Sequence, residues 1–178
     1  MELKTRFTEV IKEHEGLIYK ITSLYTDSSQ DRNDLYQEVV YQLWKSFPSF
    51  NEKSKLSTWM YRVALNTAIY HLKKTRKRLD TIPIDLDTQR FAENGDPAEE
   101  ERIRLLYEHV QMLDLLEKGI IILYLEGKSH EEIASVVGIS TTNVGTRISR
   151  IKEKLKSRII NNKHYGIGRN EIYLGTTR

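Results

Sequence analysis

Residues 127–155, GKSHEEIASVVGISTTNVGTRISRIKEKL, constrain the fold more than any other stretch. Ser129 with Glu132 three residues later has the form of a capping box, which predicts the start of a short helix. Gly138 then supplies a residue suited to a tight turn. The apolar residues expected on the buried face of this helix are Ile133, Ala134 and Val137.

A second helical pattern follows the glycine, with Ser140 as its predicted N-cap. Its predicted core stripe is Val144, Ile148, Ile151 and Leu155. A short helix, a glycine turn and a longer basic helix form the helix-turn-helix arrangement, whose second helix enters the DNA major groove. The alternative is an αα-hairpin that only packs.

The outward face of the second helix carries groups that can contact DNA. Hydroxyl, amide and guanidinium groups can recognise base edges, and arginine can do so by a bidentate bond to guanine. Those expected to face the bases are Thr142, Asn143, Thr146, Ser149 and Arg150. The basic residues better placed for phosphates are Arg147, Lys152 and Lys154, which would position the protein without specifying sequence.

The rest of the chain also shows helical periodicity. One long amphipathic helix is predicted over residues 3–25, and a second over residues 31–47, which Pro48 ends. A third begins at Ser57 or Thr58. Strand-like alternation and fixed-period repeats are absent from the sequence. We therefore predict an all-α fold of two small helical domains.

The third helix, within residues 58–78, has two different faces. One predicted side is an ordinary core stripe of Tyr61, Leu65, Ala68, Ile69 and Leu72. The opposite side carries Trp59, Val63, Asn66, Tyr70, Lys73 and Lys77. A hydrated back face would explain the lysines, but it does not explain why they continue a stripe of amide and aromatic groups.

Charge is distributed unevenly, although the net charge is only +3. Residues 71–78 hold five Lys or Arg and no acid, and residues 147–158 hold six against Glu153 alone. The stretch 79–98 between them is acidic and contains Pro83, Gly95 and Pro97, which predicts a flexible linker. Two basic patches joined by an acidic connector indicate two contacts with one polyanion. The alternative is that each patch only complements a helix dipole.

Several classes of function are disfavoured. The chain has no Cys, which excludes disulfides, thiolate metal sites and cysteine nucleophiles. Its five histidines (14, 71, 109, 130 and 164) are scattered, and no Gly-rich phosphate loop occurs. We therefore expect no catalytic residues, no metal and no cofactor. No apolar run approaches a membrane span and no signal segment is present, so an intracellular protein without membrane insertion is expected.

Three stretches together resemble one known family. They are DLYQEVVYQLWKSF (34–47), LSTWMYRVALNTAIYHLKK (56–74) and EGKSHEEIASVVGISTTNVGTRISRIKEKL (126–155). This combination is similar to the small two-domain bacterial sigma factors of the extracytoplasmic-function group, in the order and spacing of that family. The resemblance covers nearly all of residues 5–160.

The resemblance implies the organisation of the chain. Residues 1–78 would form a domain of three or four helices that grips the polymerase clamp and opens the minus-ten element. After the linker at 79–98, residues 99–160 would form a four-helix domain that recognises the minus-thirty-five element. The role of the tail, 161–178, is unknown. The implied partners are core RNA polymerase, promoter DNA and an anti-sigma factor, in the cytoplasm.

The resemblance also assigns residues. It implies polymerase contacts at Asp34, Gln37 and Glu38, with Trp44 turned toward the core. The residues expected on the minus-ten strand are Asn51, Lys53, Ser54, Lys55, Asn66, Tyr70, Lys73 and Lys77, which can combine hydrogen bonds, stacking and phosphate contacts. The loop 51–57 is expected to pocket a flipped base, and Trp59 to wedge that loop onto the helix. The minus-thirty-five residues would be Thr142, Asn143, Thr146, Arg147, Ser149, Arg150 and Lys152.

Two features depart from the family pattern. Leu113 is followed by Asp114 where the family usually has Leu-Pro, and Gly145 stands in the recognition helix where a long polar side chain is common.

The alternative function is an autonomous helix-turn-helix repressor or activator that dimerises through its first half. It would bind specific duplex DNA without polymerase.

Overall fold

A computed structural model of the chain describes residues 2–76 and 97–172, and the side chains of residues 2–75 and 103–160. Eight α-helices and one short 3-10 helix make up most of these two ranges, which contain no strand. The all-α prediction is confirmed. The helices are α1 (Glu2–Glu13), α2 (Glu15–Leu24), α3 (Ser29–Ser46), α4 (Leu56–Arg76), α5 (Pro97–Gln111), α6 (Leu115–Leu125), α7 (His130–Val137) and α8 (Thr141–Ile172).

Among the described residues, contacts divide the chain into two compact units. The first comprises residues 2–76 with 131–139, and the second comprises 97–130 with 140–172. The division into domains at 1–78, 99–160 and a tail remains a prediction, since α5 already begins at Pro97 and α8 continues past residue 160 to Ile172. Most of the predicted linker lies outside the described residues.

The first unit is built on α2, α3 and α4. Buried apolar side chains from all three helices form its core, and they include Ile18, Ile21, Leu35, Val39, Leu43, Met60, Tyr61, Ala64, Leu65 and Ala68. Ser28 caps α3 by accepting a hydrogen bond from the Asp31 amide at 3.1 Å. Asp31 also joins α3 to the far end of α4, because its Oδ1 lies 2.8 Å from Nε2 of His71.

The long first helix predicted over residues 3–25 is two helices. His14 interrupts it with φ −111° and ψ 18°, outside the helical region. The imidazole Nδ1 lies 3.1 Å from the Val10 carbonyl oxygen, so the side chain supplies a further partner to the end of α1. The hydrophobic period continues through the break, which is why the sequence pattern alone does not reveal it.

The second unit is built on α5, α6 and α8, and α6 has well-defined ends. Asp114 and Glu117 form a reciprocal capping box at its start. The departure from Leu-Pro at this point therefore replaces one helix-start residue with another. Gly127, with φ 71°, ends α6 in a Schellman arrangement: its amide donates to Tyr124, and the Lys128 amide donates to Leu123.

The short helix and the turn occur where the sequence predicts them. α7 ends at Val137, and Gly138 adopts a left-handed φ of 75° before α8 begins. The Asn143 amide donates to Ser140 Oγ at 3.3 Å, which confirms the predicted cap. The predicted buried face of α7 is partly wrong, because Ile133 and Val136 are buried whereas Ala134 and Val137 are half-buried.

No helix in the parts of the chain that the structure describes is long and apolar enough to cross a bilayer.

Candidate nucleic-acid and partner interfaces

The structure describes Asn66, Tyr70 and Lys73 of the predicted stripe, which form the outer stripe of α4, whereas the predicted fourth member, Lys77, lies outside the described residues. The first three are exposed, and Tyr70 exposes 70% of its surface. They lie on the side of α4 opposite Leu65 and Ala68, whose burial fixes the orientation of the helix. An amide, an aromatic ring and an ammonium group are thus presented in a row, and such groups can bind a single nucleic-acid strand.

Predicted core positions on α4 are mostly correct. Tyr61, Leu65 and Ala68 are buried as predicted, whereas Ile69 and Leu72, nearer the end of the helix, are half-buried. On the opposite side, Val63 is half-buried and so does not belong to the outer stripe. The described part of the outer stripe is therefore narrower than the sequence pattern indicates and entirely polar or aromatic.

An aromatic platform supports the loop that precedes α4. The Trp59 ring lies 5.1 Å from the Phe50 ring and 6.3 Å from the Phe47 ring, measured between centroids. These contacts agree with the prediction that Trp59 packs the loop onto the helix. The ring is half-buried and does not take part in the outer stripe.

The loop itself has a defined backbone. Asn51 Oδ1 accepts a hydrogen bond from the Lys53 amide at 3.3 Å, and Glu52 adopts a left-handed φ of 57°. Asn51 and Lys53 are exposed and Ser54 is half-buried. Lys55, predicted as a DNA contact, lies within the first unit 3.1 Å from Glu132 Oε1. Lys55 would have to exchange that carboxylate for a phosphate to bind DNA.

The predicted polymerase-binding residues share the solvent side of α3. Asp34, Gln37 and Glu38 are all exposed. Glu38 Oε1 accepts a hydrogen bond from Gln42 Nε2 at 2.8 Å, which orients the carboxylate along the helix. Asp34 and Glu38 are one helical turn apart and form a like-charged pair that a basic partner surface would complement.

An apolar groove beside these residues was not predicted. It lies between α1 and α3, and Phe7, Tyr36, Val40, Tyr41 and Trp44 are among its lining residues. The prediction that Trp44 faces the core is wrong, since the side chain is 39% exposed and meets Phe7 edge-on with the ring centroids 5.0 Å apart. Its position flanks the Val39–Leu43 stripe, and sequence alone does not say on which side of that stripe α1 packs.

Tyr36 lines this groove, and its acidity is perturbed. Partial burial raises the pKa of its phenol above the ordinary value, and the negative charge of Glu15 raises this pKa further. The hydroxyl therefore stays neutral at physiological pH and remains available as a hydrogen-bond donor. The groove thus combines apolar rings with the neutral hydroxyl of Tyr36 beside the acidic pair.

The reading face of α8 comprises Thr142, Asn143, Thr146, Ser149 and Arg150, which are all exposed. The predicted core stripe on the opposite side, Val144, Ile148, Ile151 and Leu155, is buried throughout, which confirms it. Because burial of that stripe fixes the rotation of the helix, the reading face is held toward solvent. Thr146 Oγ1 donates back to the Thr142 carbonyl at 3.2 Å.

The basic residues predicted as phosphate contacts on α8 have partners within the protein. Arg147 Nε donates to Asn143 Oδ1 at 3.2 Å. Lys152 Nζ donates to the Tyr124 hydroxyl at 2.7 Å, and Lys154 forms an ion pair with the carboxylate of Glu117. Side chains 28 and 37 residues apart in sequence make these last two contacts, so the local pattern of α8 could not reveal them.

Metal chemistry has no support in the part of the chain with described side chains, where no group of three or more His, Asp or Glu could hold an ion. The interfaces instead consist of hydrogen-bonding, aromatic and charged groups on the outer sides of helices. This arrangement is suited to binding.

Comparison with known proteins agrees with this architecture. The family model described as Sigma-70 region 2 matches residues 10–78, and that described as Sigma-70, region 4 matches residues 103–155. These matches cover the three interfaces on α3, α4 and α8. The gap between them falls on the predicted linker.

Relatives match over nearly the whole chain. The ECF RNA polymerase sigma-E factor of Escherichia coli (strain K12) is 26% identical over 165 residues, covering 86% of each chain. The protein of the same description from Haemophilus influenzae is 26% identical over 168 residues, covering 88% of each.

Solved structures share the fold. One is the sigma factor RpoE in complex with the anti-sigma factor NepR from Bartonella quintana, with a TM-score of 0.68 and 18% identity, covering 85% of this chain and 95% of that one. Another is CnrH in complex with the cytosolic domain of CnrY, with a TM-score of 0.64 and 18% identity over 89% and 90% of the two chains. From the two region matches and the relatives together, the chain belongs to the extracytoplasmic-function group of the sigma-70 family and is an RNA polymerase sigma factor.

Proposed function

We propose that the protein joins core polymerase through the exposed side of α3 and directs it to promoters with two recognition elements. Asp34, Gln37 and Glu38 bind the clamp, and the groove with Tyr41 and Trp44 beside them extends that surface. The acidic pair supports a basic partner, and the exposed aromatic rings support a partner with apolar side chains of its own.

The outer stripe of α4 holds one strand of the opened minus-ten element. Tyr70 stacks on a base, Asn66 donates to a base edge, and Lys73 contacts a phosphate. The loop that begins at Asn51 accepts a flipped base above the Trp59 platform. The observation that most supports this role is the exposure of a polar and aromatic row on the side of α4 opposite its buried apolar residues.

The reading face of α8 binds the minus-thirty-five duplex. Arg150 forms the bidentate contact with guanine, and the short hydroxyls and Asn143 fit between base edges. Arg147 and Lys152 contact phosphates after exchanging their internal partners. The autonomous-repressor alternative uses the first half of the chain only to dimerise, which does not explain the row of amide, aromatic and ammonium groups on α4, whereas this proposal uses all three surfaces.

The proposal also includes the cellular location of the protein and its regulation. It acts in the cytoplasm, where polymerase and promoters are, as an initiation factor without catalytic chemistry of its own. An anti-sigma factor holds it inactive by covering the surfaces on α3 and α8. The anti-sigma factor NepR, named as the partner of the solved sigma factor RpoE, supports this last step.

Run-off transcription tests the proposal. Core polymerase is incubated with genomic fragments of the host, with and without the protein, and new transcripts are mapped. We expect transcripts that start only when the protein is present and share two upstream elements. Specific duplex binding without any polymerase-dependent transcript would instead favour the repressor alternative.

A further inference from the structure

Position 145 in the recognition helix has no side chain, and a residue from another helix occupies the space. A Cβ atom placed on Gly145 would lie 3.6 Å from Cε1 and 3.7 Å from Nδ1 of His130. His130 is exposed and is the first residue of α7. Its imidazole therefore lies over the bare backbone of α8 where a side chain at position 145 would begin.

The position borders the reading face. On an α-helix, residues three and four apart are surface neighbours at about 5–6 Å. For position 145 these neighbours include Thr142 and Ser149, both exposed members of the reading face. The buried residues Val144 and Ile148 lie on the other side. The His130 ring is thus placed at the edge of the surface that faces DNA.

Neither backbone geometry nor crowding explains the glycine. Gly145 is helical and has no left-handed φ, and a Cβ there would be at ordinary van der Waals distance from the ring. Glycine is nevertheless among the least favourable residues inside a helix. A side chain longer than alanine at 145, however, would enter the volume that the imidazole occupies. Position 145 therefore accommodates the imidazole of His130 only if its residue is no larger than alanine.

We infer that His130 is a DNA-contacting residue that replaces the missing side chain at position 145. An imidazole always carries at least one N–H donor. This donor forms a hydrogen bond with an acceptor of the minus-thirty-five duplex, which is a purine N7 at the groove edge or a phosphate oxygen. The inference rests on the proposed binding of this duplex by the reading face.

The test uses the complete chain in holoenzyme, with a promoter fragment found by run-off transcription. His130→Ala should weaken the holoenzyme–promoter complex by roughly three- to tenfold, the value of one hydrogen bond. The melting temperature of the free protein should be unchanged because the side chain is exposed. Gly145→Ala is the matched control and should stay within twofold of wild type, because its Cβ only touches the ring.

A double-mutant cycle excludes an indirect effect through the start of α7. Gly145→Gln introduces a long polar side chain that competes with the imidazole in the wild type and fills its place in His130→Ala. Gly145→Gln should therefore weaken binding in the first background and restore it in the second. Equal effects of Gly145→Gln in both backgrounds, or binding by His130→Ala within twofold of wild type, would overturn the inference.

Two further measurements identify the acceptor. If it is a base, replacing one purine by its 7-deaza analogue weakens the wild type and leaves His130→Ala unaffected. If it is a phosphate, the wild type and His130→Ala respond equally to every such analogue, and a neutral methylphosphonate at that phosphate weakens the wild type but not His130→Ala. Failure of the wild-type holoenzyme to discriminate minus-thirty-five sequences would refute the proposed function itself, whereas discrimination that His130→Ala fully retains would refute only the role of His130.

Discussion

The outer stripe of α4 and the reading face of α8 lie on helices of similar design but differ in how their polar groups are used. Each helix buries an apolar stripe and turns the other side to solvent. Within the described residues, the side chains of Asn66, Tyr70 and Lys73 make no hydrogen bond or ion pair. Along α8, in contrast, Lys152 and Lys154 are paired with residues of α6.

The difference separates two kinds of DNA-binding surface. Among the described residues, the outer stripe has no internal bond to lose when it contacts a ligand, and for the same reason it contributes little to stability there. The basic residues of α8 stabilise the second unit in the free protein and must exchange partners to reach phosphates. Substitutions on α4 should therefore affect function alone, whereas substitutions beside the reading face should affect both function and stability.

The largest effect is expected on the exposed side of α3, the surface proposed to bind core polymerase. Reversing both charges by Asp34→Lys with Glu38→Lys should abolish holoenzyme formation, because the pair would repel a basic clamp. Helicity should be nearly unchanged, since like charges one turn apart remain like charges and their repulsion is worth only about 0.2–0.5 kcal/mol. Size-exclusion co-elution with core polymerase, together with circular dichroism, measures both outcomes.

Glu9→Lys with Glu13→Lys provides the matched control. These residues are also acidic, exposed and one turn apart, but they lie on the side of α1 opposite the buried Phe7 and away from the groove. This control should co-elute with polymerase normally. Co-elution of the α3 variant as well would refute the clamp assignment.

The second prediction concerns the outer stripe. Combining Asn66→Ala, Tyr70→Ala and Lys73→Ala should slow promoter opening by at least about tenfold, because a stacked base alone is worth ~1–3 kcal/mol. Polymerase binding should be unaffected. Permanganate reactivity of minus-ten thymines, followed over time, measures the opening step. Normal opening by the triple variant would show that the stripe is only a hydrated helix face without a role in DNA binding.

A variant from the opposite side of the same helix sharpens this test. Leu65→Ala should lower the free energy of unfolding by about 2–5 kcal/mol, because it leaves a cavity in the core. The triple variant should change the free energy of unfolding by no more than about 0.5 kcal/mol per exposed residue. Urea unfolding of both variants measures the contrast. Destabilisation of the triple variant comparable to that of Leu65→Ala would show that the stripe is structural.

The sequence predicts the buried sides of these helices well, because a period of 3.6 residues follows directly from helix geometry. Val144, Ile148, Ile151 and Leu155 are all buried, and so are Tyr61, Leu65 and Ala68. Turn chemistry is equally local: Ser28, Ser140 and Gly138 act within three residues of themselves. Such features need no knowledge of tertiary structure.

Features that depend on which helix packs beside which could not be predicted. The exposure of Trp44 follows from the position of α1, and the pairing of Lys152 follows from the packing of α6 against α8. The ring of His130 above Gly145 also requires tertiary contact. The break at His14 lies within an unbroken hydrophobic pattern, so the period conceals it.

On α8, a residue of the reading face should behave like the outer stripe. Arg150 is exposed, and its side chain has no hydrogen-bond or ion-pair partner within the described part of the chain. Arg150→Ala should therefore relax specificity at one base position by about 1–3 kcal/mol without changing the melting temperature. Binding to a panel of single-base variants of the minus-thirty-five element measures this. Uniform weakening across the panel would reassign Arg150 to a phosphate.

The smallest effects are expected at the contact between Lys152 and Tyr124, because Lys152 both stabilises the second unit and is proposed to contact DNA. The ammonium lies 4.2 Å from the centre of the Tyr124 ring and also donates to its hydroxyl. Lys152→Ala should weaken binding to all sequences alike, lower the salt slope by about 1, and slightly reduce stability. Titration of holoenzyme on promoter fragments at several salt concentrations, together with urea unfolding, measures these changes.

Tyr124→Phe then separates pairing from DNA binding. It retains the ring and removes only the hydroxyl acceptor, so stability should fall by about 0.5 kcal/mol, the lower end for one hydrogen bond because Lys152 is exposed. If the hydroxyl competes with phosphate for the ammonium, the affinity for DNA should rise up to about twofold. The same salt titration measures this change. A fall as large as that of Lys152→Ala would instead mean that Tyr124 orients Lys152 toward DNA, and the pairing on α8 would then be preorganisation for binding.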